Sequence, residues 1–272
     1  MTKTRTRIIL EKFADKKIAQ ITLNRPDKRN ALDGEMIEEL LEALEEIRAD
    51  PQISVLLTKA NGPSFCSGLD LYYLRSFLQE PPSRDWERSS RPRTLMDTLR
   101  DFPKVTIAQV HGYCVAGGMV LMLSHDIVCA SATAQIGMAE ILRGSFGQMA
   151  TATLFHSGVP PKKATLMQLS GRNLSGLEAD RLGLVSMAVE DAELSGVTAK
   201  LAGEIALRHP AALASAKIAV QMGGKLALPD ALKLDQLVGA WQQLMVDPMA
   251  HTEEYLKSQS GGPKVDYRRP DV

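Results

Sequence analysis

Ile18-Ala19-Gln20-Ile21-Thr22-Leu23, the run from Asp33 to Ala49, and Ile53-Ser54-Val55-Leu56-Leu57 together decide the fold. In the first stretch Ile18, Gln20 and Thr22 alternate with Ala19, Ile21 and Leu23, the period of a β-strand. Asn24-Arg25-Pro26-Asp27 breaks that strand. Asp33 is placed to cap a helix reaching about Ala49, because Ile37, Leu40, Leu41, Leu44 and Ile47 recur on one helical face. Glu35 sits in the favourable first turn, and Asp50-Pro51 ends the helix. Ile53 to Leu57 reads as one apolar run, as expected of a strand covered on both faces. Strand, helix, strand in this order predicts a right-handed crossover in a parallel sheet.

Working outward, Ile8 to Phe13 reads as an earlier strand, joined to the next by the turn-like Ala14-Asp15-Lys16. Downstream the unit repeats. Asn61-Gly62-Pro63 opens a loop, and Gly68-Leu69-Asp70-Leu71 leads into a helix to about Leu78. Glu80 to Arg93 is polar and holds three prolines, so it is expected to be a mobile segment. Val105 to Val110 is a further buried strand, after which Gly112 and Gly117-Gly118 precede an apolar helix from Met119 to Ser124. Asp126 to Ala130 is another strand. From about Gln148 the pattern is helical. Ser175-Gly176-Leu177-Glu178 forms a capping box, Gly183 to Val189 is a short excursion, and helices are expected over 191–208, 211–222 and 229–246. The fold class is therefore α/β, with a sheet-bearing core over residues 1–200 and a helical C-terminal lobe over 201–272.

Composition narrows the function. Of 272 residues 44% are hydrophobic and 24% charged, the proportions of a folded globular chain. Thirty-two basic residues balance thirty-two acidic ones, which argues against a nucleic-acid partner. No window of about 18 apolar residues exists, so no membrane helix is expected, and the N-terminus lacks a secretory pattern. Three cysteines, Cys66, Cys114 and Cys129, are too few for a disulfide framework, and a cytoplasmic location is expected. There is no G-x-G-x-x-G after a strand, no Walker loop, no G-x-S-x-G, no H-E-x-x-H and no paired C-x-x-C. The five histidines lack ligand spacing, so no metal is expected.

Two glycine loops carry more information. Ser64-Phe65-Cys66-Ser67-Gly68-Leu69-Asp70 and His111-Gly112-Tyr113-Cys114-Val115-Ala116-Gly117-Gly118 each follow a buried strand and precede a helix. Such loops present unpaired backbone N–H groups that can hold the oxygen of a developing enolate. The same glycines also suit tight turns, and spacing alone leaves both readings open.

The chain resembles the enoyl-CoA hydratase/isomerase (crotonase) superfamily. The resemblance rests on residues 21–32, Phe65-Cys66-Ser67-Gly68-Leu69-Asp70-Leu71, Ala116-Gly117-Gly118 with Asp126, and Gly137-Met138-Ala139-Glu140-Ile141. Gly171-Arg172 with Ala179, Gly183, Leu184 and Val185 adds a downstream match. It covers roughly residues 6–260. The resemblance implies a spiral of ββα units with a helical C-terminal lobe that mediates trimerisation. It further implies an acyl-CoA thioester substrate and a homotrimer or a dimer of trimers. No separate cofactor is implied, since coenzyme A is part of the substrate. By position, the N–H groups of Ser67 and Gly117 match the oxyanion-hole donors. Arg29, Ala31, Gly68, Leu69 and Asp70 match segments lining the CoA moiety, and Asp126 is read as structural.

One departure bears on the reaction. Hydratases of the family carry two glutamates, and here the first position is Val120 while the second is Glu140. Glu140 is also open to a bland reading as a helix-start or ion-paired residue; the aligned context favours a base. A single carboxylate can move a proton between two carbons, so enoyl-CoA isomerase chemistry is expected first. A hydratase, lyase or hydrolase on an unusual acyl-CoA is the alternative, and a non-catalytic acyl-CoA binder a further one. Arg143 is read as a surface charge, with an acidic acyl group as its other possible partner. Cys66 and Cys114, beside the loops, are read as packing thiols.

Overall fold

In the computed structural model, residues 5–78, 91–246, 249, 253, 256 and 257 are described. The chain divides into two compact units, Met1–Arg208 and His209–Val272.

The first unit is a repeated strand–strand–helix pattern. β1 (Ile8–Phe13) pairs antiparallel with β2 (Ile18–Leu23), and α1 (Gly34–Ala49) follows. Then come β3 (Val55–Ala60), β4 (Ser64–Cys66) and α2 (Leu71–Leu78), with α3 (Arg91–Arg100) after it. The next turn is β5 (Val105–Val110), β6 (Tyr113–Val115) and α4 (Gly117–Leu123). The one after that is β7 (Ile127–Ser131), β8 (Gln135–Gly137), a 3₁₀ turn (Glu140–Arg143) and α5 (Gln148–Phe155). The unit closes with α6 (Pro161–Ser170), β9 (Leu174–Ser175), α7 (Gly176–Arg181), β10 (Met187–Val189) and α8 (Leu194–Ala206). Long first strands build one sheet, in the order β1-β2-β3-β5-β7-β10, parallel from β2 to β10. Short second strands build another, in the order β4-β6-β8-β9, with β4, β6 and β8 parallel. This is the expected spiral of ββα units.

The expected local signals hold where side chains can be checked. Asp33 accepts from the Met36 N–H at 2.8 Å and starts α1. The helix buries Met36, Ile37, Leu40, Ala43, Leu44 and Ile47, each fully buried Met, Ile or Leu stabilising by about 1.5–3 kcal/mol. Ser175 and Glu178 form the capping box. Glu39, whose role periodicity did not reveal, is buried on α1 and accepts from the N–H groups of Thr6, Arg7 and Ile8, tying down the entrance to β1. The expected loop from Glu80 to Arg93 overlaps α3, which begins at Arg91; residues 79–90 lie outside the described residues.

The boundary expected between residues 200 and 201 falls inside α8. That helix packs on β2, β3, β5 and β7, so the division moves to Arg208–His209. The second unit pairs α9 (Pro210–Gly223) with α10 (Leu228–Met245). Leu226, Leu228, Leu232 and Leu237, with Trp241 and Leu244, are exposed on it. Among the described residues no helix is long and apolar enough to cross a membrane.

Candidate active site

The parallel register of β4, β6 and β8 places their C-terminal ends side by side on one sheet edge. The residues leaving that edge are Ser67-Gly68-Leu69, Ala116-Gly117 and Met138-Ala139-Glu140. Ligand sites in parallel sheets form at such edges, and the topology collects there both glycine loops and the expected base.

The two loops touch through their backbones. A Cβ added to Gly68 would lie 3.1 Å from the Gly117 nitrogen, and one added to Gly117 would lie 3.4 Å from the Leu69 nitrogen. Gly68 has φ +96°, which glycine adopts freely. Ala116, just before Gly117, holds φ 55° and ψ −127°, a costly conformation for a residue with a Cβ. The strained residue turns the chain so that Gly117 opens α4, where its N–H has no carbonyl within the helix to meet.

The structure corrects one donor. The Ser67 N–H, expected at the oxyanion, donates to the Arg29 carbonyl at 3.0 Å. Its neighbour Leu69 is placed differently. Leu32 donates to Gly68 O at 2.8 Å and accepts from Asp70 N–H at 2.9 Å, forming a parallel bridge in which Leu32 pairs with Leu69. In that pattern the N–H of Leu69 points away from Leu32, and the close approach of the two loops sets it beside Gly117. The sequence signal for this was the strand-like bridge at Leu32, which alternation over two residues is too short to reveal.

The residues expected along coenzyme A are brought together. Arg29 and Asn30 are both left-handed, with φ 50° and 53°, and the turn they make lies against Ser67 to Asp70. Asn30 is fully buried; it accepts from Arg25 N–H and donates to the carbonyls of Asn61 and Ser64, so no polar atom of its amide is orphaned. Arg25 bridges Ala31 O, Asp33 and Asp70. Arg29 extends its side chain to solvent, and Ala31 is buried. The Asp70 carboxylate is engaged in the scaffold: it accepts from Tyr72 and Tyr73 N–H at the start of α2 and pairs with Arg25. Burial pushes its pKa up, but those donors and Arg25 outweigh burial and leave it below the ordinary value.

Glu140 opens the 3₁₀ turn after β8, half-buried, with one carboxylate oxygen, Oε2, buried and without a hydrogen-bond partner. Its other oxygen lies against Gly147, where an added Cβ would come within 2.8 Å. Burial raises its pKa above the ordinary carboxylate value; its own backbone N–H and the Arg143 cation pull it back only in part. A desolvated carboxylate with an unengaged oxygen is a ready proton acceptor. Val120 is fully buried in the apolar core, so α4 supplies no acid at the position of the first glutamate. Arg143 is exposed. Cys66 and Cys114 are buried; burial pushes the Cys66 thiol up to about 12 and raises Cys114 well above its ordinary value. Among the described residues no cluster of metal-ligating side chains forms. A separate cleft of about 260 Å³, lined by Met167, Arg172, Leu174 and Arg181 among others, includes none of these groups.

The chain is similar to known proteins over most of its length. Residues 14–245 match the family described as enoyl-CoA hydratase/isomerase. The chain is 31% identical over 224 residues to the (E)-benzylidenesuccinyl-CoA hydratase of Thauera aromatica, covering 81% of this chain and 85% of that one. It is 33% identical over 213 residues to the 2,3-dehydroadipyl-CoA hydratase of Escherichia coli, covering 78% and 81%. An enoyl-CoA hydratase structure from Mycobacterium smegmatis superposes with a TM-score of 0.83 at 26% identity, covering 98% of each chain.

Proposed function

Because the chain belongs to the enoyl-CoA hydratase/isomerase family, we propose that it moves a double bond along an acyl-CoA thioester, with Glu140 as the base and the N–H groups of Leu69 and Gly117 as the oxyanion hole. The observation that carries this is the half-buried Glu140 carboxylate on the same sheet edge as the close-set Leu69 and Gly117 nitrogens, with Val120 where a further acid would stand.

The thioester carbonyl oxygen lies between the two N–H groups. Glu140 takes a proton from the α-carbon of a β,γ-enoyl chain, and the freed electron pair moves through the carbonyl to its oxygen. Both donors strengthen as that oxygen becomes anionic, which stabilises the enolate more than the substrate. The protonated Glu140 then returns its proton at the γ-carbon, leaving the α,β-enoyl thioester. Atoms and electrons balance without water, cofactor or metal. The site needs only that one carboxylate reach both carbons, and its raised pKa suits a group that must hold the proton between steps.

A second function is supported by the named relatives, two of which are hydratases of unusual acyl-CoA thioesters. In that reading Glu140 adds or removes water with help from a group on the substrate. The Leu226, Leu228, Leu232 and Leu237 side chains exposed on the second unit support assembly into a homotrimer or a dimer of trimers.

The test is mass spectrometry of enoyl-CoA thioesters incubated with the protein in deuterium oxide. Isomerisation predicts deuterium at the α- and γ-carbons with no gain of water. A mass gain of one water with negligible γ-exchange decides for hydration. No exchange and no product with every thioester overturns both.

A further inference from the structure

We propose that Arg143 makes this site prefer thioesters whose acyl chain carries a second carboxylate, an inference that rests on the acyl-thioester function proposed above. Glu140 and Arg143 are the first and last residues of a 3₁₀ turn. In a 3₁₀ helix side chains three residues apart eclipse one another, so the base and the guanidinium share one face. Glu140 Oε2 nevertheless has no hydrogen-bond partner, and among the described residues no ion pair joins Glu140 to Arg143. Arg143 is exposed, and among the described residues no ion pair engages it. The cation beside the base is available to a ligand.

The neighbouring surface fits the rest of such a chain. Phe146, 58% exposed on the same loop, offers an apolar surface for methylene groups between the thioester and a distal charge. Electrostatics favour a cation for such a substrate. A second carboxylate brought near the ionised Glu140 is repelled, and Arg143 is the charged group that acts on that carboxyl. A planar guanidinium also binds a carboxylate through two parallel N–H bonds, which an ammonium cannot reproduce.

The test compares two saturated thioesters of equal chain length, hexanoyl-CoA and adipoyl-CoA, which differ only in the distal carboxylate. Calorimetry with the full chain is expected to show adipoyl-CoA binding about tenfold more tightly, the worth of a partly exposed charge-assisted hydrogen bond. Arg143→Gln should reduce that ratio to about one, and Arg143→Lys should restore part of it. A wild-type ratio near one, or a ratio that survives Arg143→Gln, overturns the proposal while leaving the acyl-thioester function standing. If neither thioester binds, that function fails and takes this inference with it.

Discussion

Replacing Gly118 by alanine probes the contact on which the oxyanion geometry depends. The added Cβ would lie 2.2 Å from the Cys66 carbonyl oxygen and 2.8 Å from its carbon, against an ordinary contact of 3.4 Å or more. The oxygen overlap is thus at least 3.4 − 2.2 = 1.2 Å, and it is with backbone, so no rotamer change relieves it. The N-terminus of α4 and the end of β4 must separate by about that amount. Overpacking of this kind costs about 1–3 kcal/mol, and at about 2–4 °C per kcal/mol for a unit of this size the melting temperature should fall by roughly 2–12 °C. Because Gly117 and Leu69 sit on the two parts being separated, a displacement near 1 Å should also slow proton exchange about 100-fold. Circular dichroism melts and deuterium exchange on the same preparation measure both. A variant that melts within 1 °C of wild type and exchanges at full rate would refute the inference that these loops are held rigidly together.

Glu140 should give exchange rates an acid limb whose midpoint lies above the usual carboxylate value of 4.5, because burial disfavours its charge; a midpoint at or below 4.5 would be incompatible with that environment. The same group makes a stability prediction. Its folded pKa exceeds its unfolded one, so between the two the folded state holds more protons, and its contribution to stability falls as pH rises through that window. Glu140→Gln should therefore raise the melting temperature at pH 7 and not at pH 4; equal shifts at both would show that ionisation is not the cause. Cys66 and Cys114 should resist alkylation at pH 8 in the folded protein and react on unfolding, since burial keeps both thiols protonated. Rapid labelling of the native chain would contradict their placement.

Much of the fold was legible because its signals are local. The alternation of Ile18 to Leu23, the apolar face from Ile37 to Ile47 and the Ser175–Glu178 capping box each act within one helix or strand and reappear in place. The short strands β4, β6 and β8 were not legible in this way. Each has three residues, too few to show a period, and each is defined by its pairing with residues tens of positions away. The same physics explains the site. Glu140 and Gly117 stand out in sequence, whereas the choice between Ser67 and Leu69 as donor depends on which N–H a distant carbonyl has already taken, here that of Arg29. The role of Glu39, which holds three N–H groups at the start of β1, is likewise invisible until the chain returns to it.

The most direct measurement concerns Glu140. Glu140→Gln keeps the size of the side chain and removes its ability to accept a proton. If Glu140 is the base, the variant should bind acyl-CoA thioesters with unchanged affinity, while exchange of the α-proton in deuterium oxide falls by roughly 10²–10⁴-fold, the usual worth of a positioned acid/base. Exchange at the wild-type rate would place the proton transfer on another residue and contradict the mechanism.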